Sequence, residues 1–305
     1  MIKPNFFFIG APKCGTTSIA FQISQHPNIF ISDPKEPHFF EKEIPRGINS
    51  LKVYESLFSK AKKHHIIVGE ASTGYLYSQT AVPEILKYST NAKFLVSIRN
   101  PYEMAISLHG QALRGGYENQ NNFNIAWKLQ KNRRMGLNIP KRCPSHLMLL
   151  YENRCALGDQ IEKLYQLVSP DKVCIVLFDD LKENPVKFYE KIYDFLDVPC
   201  FEASSFPVLN VSSRIRLKFV TDAIKFLGKQ KRNFGIYKSF GIAKRVASAV
   251  STQKLEKPII KNDVLKDMYD KFMPQIEKLE RIFSRSLVAW KHFPFQGCPE
   301  NQEKC

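Results

Sequence analysis

The chain is organised around residues 5 to 18, Asn-Phe-Phe-Phe-Ile-Gly-Ala-Pro-Lys-Cys-Gly-Thr-Thr-Ser, where an apolar run stops at Gly10 and a helix-compatible run begins near Thr16. This order predicts a buried strand, a tight loop and a helix N-terminus, the opening of an α/β fold. Such a loop attracts anions, because the first turn of a helix carries N–H groups with no intrahelical partner and a partial positive charge. The spacing Gly10-x4-Gly15 matches a nucleotide P-loop, yet Thr16 stands where that motif needs lysine and the loop's own lysine comes earlier, at Lys13. With Lys13 inside the loop and Thr16, Thr17 and Ser18 behind it, amides and hydroxyls can hold a 5'-phosphate while the ammonium reaches a bridging oxygen. Short glycine-rich loops also match by accident, so an ordinary loop with an exposed lysine stays open on these residues alone.

Further apolar runs extend the pattern. Residues 66 to 69 and 93 to 99 read as strands, and Ile29 to Ile31 is a shorter candidate. Helices are expected at 16 to 25, 79 to 88, from Pro101 to about Leu113, near 158 to 168, and from about Pro185 to Leu196, with a strand at 173 to 178. Asn100-Pro101 is an N-cap followed by proline at the first helical position. Strands alternating with helices predict a P-loop-type central parallel sheet flanked by helices, with its site at the carboxyl ends of the strands. Residues 114 to 146 are polar, basic and rich in asparagine, and are expected to be an insertion or lid rather than core. Beyond Pro207 the pattern is helical, near 214 to 228 and 262 to 283. The simplest division is one domain over 1 to 305, with a core to about 205 and a C-terminal helical extension from about 206.

Composition narrows the partners. Lys+Arg 45 against Asp+Glu 29 gives a formal charge of +16, which favours anionic ligands: a nucleotide, a sulfated or phosphorylated substrate, nucleic acid or an acidic membrane. Residues 225 to 258 carry nine Lys/Arg and one acid, interleaved with aromatics, yet no nucleic-acid fold signature accompanies them. The 7 cysteines show no Cys-x-x-Cys pair, so neither a zinc site nor a disulfide framework is indicated, and a reducing compartment is expected. Met1 leads straight into the first strand and no apolar run approaches ~18 residues, so a soluble, untargeted, cytoplasmic protein is expected.

Two constellations stand near the loop in the expected fold. Arg99 ends a strand and Ser107 lies two turns into the next helix; a guanidinium fork and a hydroxyl suit a second phosphate, although each residue also has an ordinary surface role. Lys35-Glu-Pro-His-Phe-Phe40 puts a carboxylate in a proline-stiffened loop between a cation and aromatics, a setting for a general base or for a solvated loop residue. His38 and His109 are the other candidate bases. Cys14, near a helix N-terminus and beside Lys13, reads as a loop-filling thiol before it reads as a nucleophile.

Together these pieces resemble the PAPS-dependent sulfotransferases, and the elements occur in that family's order. Gly10 to Ser18 looks like the 5'-phosphosulfate loop, and Ser97-Ile-Arg-Asn-Pro-Tyr-Glu-Met-Ala-Ile-Ser107 looks like the 3'-phosphate element. Lys35 to Phe40 is similar to the Lys-Glu-x-His-Phe-Phe segment of the heparan-sulfate-type branch, where the glutamate serves as base. Leu177-Phe-Asp-Asp-Leu181 and the Leu279 to Trp290 segment resemble later landmarks, so the match spans nearly the whole chain.

The resemblance implies transfer of a sulfuryl group from PAPS, leaving adenosine 3',5'-bisphosphate, to a carbohydrate or other hydroxylated acceptor. It makes Lys13, Cys14, Gly15, Thr16, Thr17 and Ser18 the 5'-side contacts, with Arg99 and Ser107 on the 3'-phosphate and Arg214 or Arg216 as a further basic contact. Glu36 becomes the base and Lys13 the cation at the leaving oxygen, with Lys35, His38 and Glu70 facing the acceptor. A transferring sulfuryl group bears less charge than a phosphoryl group, so Lys13 is expected to suffice without magnesium, and no metal is expected. Met104 stands where many members have arginine, and Ala71 replaces the lysine of a Glu-Lys-Ser/Thr-Pro segment. The rival readings are a divergent P-loop kinase, which needs a lysine after Gly15, and a non-catalytic basic protein docking on nucleic acid or an acidic membrane.

Overall fold

The structure, a computed structural model, describes residues 2–201 and 258–292, with the backbone alone of two short strands at 213–215 and 251–254. In chain order the elements are β1 (Phe6–Gly10), α1 (Thr16–Ile23), β2 (Ile29–Ile31), α2 (Leu51–Ser56), β3 (Ile67–Ala71), α3 (Ala81–Tyr88), β4 (Lys93–Ile98), α4 (Pro101–Gly115), α5 (Phe123–Lys128), α6 (Gln130–Arg134), α7 (Tyr151–Cys155) and α8 (Leu157–Leu167). There follow β5 (Val173–Leu177), α9 (Phe178–Glu183), α10 (Pro185–Phe195), β6 (Ser213–Ile215), β7 (Ser251–Lys254) and α11 (Asn262–Phe283).

β1 has no exposed side chain because it lies at the centre of a five-stranded sheet of order β2-β3-β1-β4-β5, in which every pairing is parallel. A strand covered on both faces must be apolar on both, which explains the unbroken Phe-Phe-Phe-Ile run. Its residues alternate between two cores. Phe6 and Phe8 pack with α1 and α10 through Ile19, Ile23, Phe188 and Ile192, whereas Phe7 and Ile9 join the larger core beneath α3, α4, α8 and α11.

α4 begins where the sequence predicts, with Asn100 Oδ1 accepting from the Tyr102 N–H at 2.9 Å and Pro101 at the first helical position. Met104 is completely buried in the larger core. α11 covers the same core with Val264, Met268, Phe272, Ile276 and Leu279, one apolar stripe at helical spacing. Beyond α11, Trp290 Nε1 donates to Asp179 at 2.8 Å and Arg285 makes a fork on Asp180 at 2.8 and 2.7 Å, so the two late landmark segments meet beside β5. Among the described residues no helix is long and apolar enough to cross a membrane.

Two expectations are corrected. Residues 114 to 146 are not a lid laid over the core: α5 buries Phe123, Ala126 and Trp127, and Arg133 is completely buried against Glu118 at 2.8 Å. Tyr151 donates to the same carboxylate at 2.8 Å. The polar composition concealed this because its charges satisfy one another inside the protein instead of facing water. The helix expected near 214 to 228 begins on a strand instead, β6, paired antiparallel with β7, and the rest of it lies outside the described residues. The basic stretch 225 to 258 also lies outside them, apart from the β7 backbone and its last residue.

Candidate active site

The carboxyl ends of β1, β3 and β4 bring three separate segments together. From β1 the chain turns through Ala11 to Gly15 into α1. Lys13 and Gly15 take positive φ values of 68° and 73°. Gly15 is required twice over, since its backbone is left-handed and a Cβ there would stand 2.3 Å from the Phe178 ring. β4 fixes this loop from the side: the Ala11 N–H donates to the Ser97 carbonyl at 2.7 Å, Ser97 Oγ donates to the Cys14 carbonyl at 2.7 Å, and Arg99 Nη1 donates to the Lys13 carbonyl at 3.0 Å.

Arg99 also pairs with Glu103 and lies over the Phe178 ring, 5.3 Å from its centroid. Its Nε is buried with no partner among the described residues, an orphaned donor beside the loop. Ser107 follows Glu103 by one helical step and is partly exposed on α4. Arg114, on the last turn of α4, lies close enough to Lys13 to depress its pKa. Burial, Arg114 and Arg99 together bring the Lys13 ammonium down to about 8. Arg114 was not anticipated, although its place seven residues after Ser107 puts both on one helix face.

The Glu36 loop closes the other side. Its backbone is pinned to the end of β3 by the Glu36 N–H to the Ala71 carbonyl at 3.0 Å and by the His38 N–H to Ser72 Oγ at 3.0 Å. Thr73 Oγ1 donates to Glu36 at 2.9 Å, Lys35 Nζ lies 3.4 Å from the same carboxylate, and His38 Nε2 lies 3.6 Å from its other oxygen. Burial acts against the Glu36 charge, but His38, Lys35 and Thr73 outweigh it and hold the carboxyl well below the usual carboxylate range.

His38 continues the chain of charges. Its Nδ1 stands 3.0 Å from Glu41, which accepts a fork from Arg46 at 2.9 and 3.1 Å. Burial works against the imidazolium, while Glu36 and Glu41 push its pKa up. His38 lies edge-on to Tyr75, ring centroids 6.4 Å apart, and serves the two carboxylates. Glu41 and Arg46 were invisible in the sequence, because nothing in their spacing points to His38.

Lys35 links the two sides: its Nζ is 3.3 Å from Oγ1 of Thr16, the first residue of α1. Glu70 lies differently from expectation, whereas Cys14 is the loop-filling thiol that the sequence suggests and His109 is a core residue. Glu70 has no exposed surface; its carboxylate accepts from Ser72 at 2.5 Å, Tyr75 at 2.8 Å and Tyr54 at 3.2 Å, so it supports the Glu36 loop from beneath and does not face an acceptor. Burial pushes its pKa up to about 7. The Cys14 thiol is fully buried against the Pro12 carbonyl, and burial raises it to about 12, so only the backbone of Cys14 can serve the loop. His109 is buried between Phe123 and Tyr151, its Nε2 2.7 Å from the Gln120 carbonyl, and so is not placed to act as base. Arg214 is described only as backbone in β6, and Arg216 lies outside the described residues.

The sulfotransferase domain model matches residues 3–291. A bifunctional heparan sulfate N-deacetylase/N-sulfotransferase of Caenorhabditis elegans is 23% identical over 231 residues, 75% of this chain and 26% of its own length. A membrane-associated sulfotransferase of Dictyostelium discoideum is 28% identical over 130 residues, 43% of this chain and 25% of its own. The chain thus spans about a quarter of the length of these curated relatives. The crystal structure of a sulfotransferase from Alicyclobacillus acidocaldarius shares the fold, with a TM-score of 0.70 and 22% identity over 96% of this chain and 100% of that one.

Proposed function

We propose that this chain, which belongs to the sulfotransferase domain family, moves a sulfuryl group from PAPS to a hydroxyl of a carbohydrate or other hydroxylated acceptor. One observation carries the reading: a candidate base and an anion-binding helix terminus lie one lysine apart, since Lys35 Nζ is 3.3 Å from Thr16 and 3.4 Å from Glu36. The residues fit the donor. The first turn of α1 and Lys13 suit the 5'-side, and Arg99, with a buried donor lacking a partner among the described residues, suits a 3'-phosphate together with Ser107.

In the transfer, the acceptor oxygen attacks sulfur and its proton passes to Glu36. The bond from sulfur to the bridging oxygen breaks, and the electron pair leaves with adenosine 3',5'-bisphosphate. Lys13 meets the charge that develops on that leaving oxygen. Thr73 and His38 hold the Glu36 carboxylate in place, and Glu41, itself held by Arg46, holds His38. A saccharide acceptor is preferred because the motif at Lys35 to Phe40 is of the sugar type and because a relative is named for heparan sulfate.

The test is incubation with sulfur-labelled PAPS and a panel of saccharides, phenols, alcohols and amines. Label on a saccharide or other hydroxylated compound is expected, with stronger thermal stabilisation by adenosine 3',5'-bisphosphate than by ATP with magnesium. No labelled product from any class, with equal stabilisation by the two nucleotides, defeats the reading in favour of a P-loop kinase or a binding protein.

A further inference from the structure

We propose that Lys35 is a catalytic residue whose ammonium leaves Glu36 on donor binding and takes up a non-bridging oxygen of the sulfuryl group. The inference rests on the sulfotransferase reading and assigns this lysine to the transferring group instead of the acceptor.

The geometry around Nζ carries it. Lys35 sits between Thr16 Oγ1 at 3.3 Å and Glu36 Oε1 at 3.4 Å. Both distances are long for an ammonium, whose charge-assisted bonds close to about 2.7–2.9 Å. The group is thus held loosely between two acceptors, with a third donor to spare. Its side chain is about a quarter exposed, at 24%, so an incoming anion can reach it. Glu36, by contrast, has a close partner in Thr73 at 2.9 Å and keeps His38 on its other oxygen, so the carboxylate stays in place if the lysine swings away.

Position along the reaction path makes the same point. In-line transfer puts the base and the leaving oxygen at opposite ends of the sulfur. In the proposed transfer Lys13, in the loop, is assigned the leaving end and Glu36 the acceptor end. A cation whose reach covers both the first residue of α1 and Glu36 lies over the middle of that path. The end of β3 contributes no cation there: Glu70 is buried, and Ala71 offers only the carbonyl that holds the Glu36 loop. During transfer Lys35 keeps its protons. It donates to an oxygen that stays on sulfur while the acceptor oxygen bond forms, the bridging bond breaks and Glu36 receives the acceptor's proton.

The experiment compares wild type, Lys35→Ala and Lys35→Met by calorimetric binding of PAPS and of adenosine 3',5'-bisphosphate, which lacks the sulfuryl group. Expected for both variants are bisphosphate affinity within about threefold of wild type, PAPS affinity lowered about tenfold or more, and single-turnover transfer lowered ~100-fold. Equal weakening of both ligands marks a merely structural role and overturns the assignment, as does weakening of neither. A loss confined to a raised acceptor KM also overturns it, because Lys35 would then touch the acceptor. Wild-type protein that binds neither ligand overturns the sulfotransferase reading along with it, whereas wild-type binding without a variant difference overturns the Lys35 role alone.

Discussion

Replacing Arg99 by alanine separates two roles that one guanidinium combines. Nη1 holds the Lys13 carbonyl at 3.0 Å and so shapes the 5'-side of the loop, while the buried Nε, without a partner among the described residues, lies within the region assigned to the 3'-phosphate. Loss of the first role weakens every nucleotide alike. Loss of the second weakens only those with a 3'-phosphate, by the value of a charged hydrogen bond, about 1.5–3 kcal/mol or roughly 10- to 150-fold. The substitution also frees the Glu103 carboxylate that Arg99 now pairs, which adds repulsion toward the phosphate. Pairing Arg99→Ala with Glu103→Gln removes that term. The assay is calorimetric Kd for adenosine 3',5'-bisphosphate and for adenosine 5'-monophosphate on wild type, the single variant and the double variant. The Kd of the bisphosphate divided by that of the monophosphate should rise at least tenfold in the double variant. An unchanged ratio, with both ligands weakened together, would refute the assignment of Arg99 to the 3'-phosphate and leave it as a loop brace.

Two further outcomes are expected. Lys13→Ala should depress turnover far more than PAPS affinity, because its charge matters most where negative charge develops in the transition state; pre-steady-state rates beside binding measurements check this, and unchanged turnover removes it from the mechanism. Glu70 is buried with its folded-state pKa near 7, above the unfolded carboxyl value, so the native state holds a proton that the unfolded state has lost as pH rises from about 4.5 to 7. Stability therefore falls across that window, by roughly 3 kcal/mol from this group. Urea denaturation of Glu70→Gln at pH 5 and pH 7.5 should show the variant gaining on wild type at the higher pH; a difference independent of pH contradicts it.

Much of the frame was legible because strong local chemistry announces it. β1 reads from an unbroken apolar run, α4 from Asn100-Pro101, and α11 from an apolar stripe that the structure buries from Val264 to Leu279. Residues 114 to 146 misled because a buried Glu118–Arg133 pair looks like surface composition until its partners are seen. The site was legible where motif and backbone coincide, as at Gly15, whose missing Cβ makes room for Phe178. It was not legible where it depends on side chains meeting across loops. His38 engages Glu41, Arg114 approaches Lys13, and Glu70 turns inward onto Tyr54 and Tyr75, contacts that no spacing rule encodes.

The most direct test of sulfuryl transfer with Glu36 as base is the rate of the Glu36→Gln variant with saturating labelled PAPS and a working acceptor. Glutamine keeps the shape and a carbonyl acceptor for Thr73, so the loop pinned to Ala71 and Ser72 should stand and adenosine 3',5'-bisphosphate should bind as in wild type. Transfer should fall by ~100-fold or more, the scale of general-base loss. Near-wild-type transfer by this variant, with the bisphosphate still bound, would contradict the account and move the base to another group, His38 first.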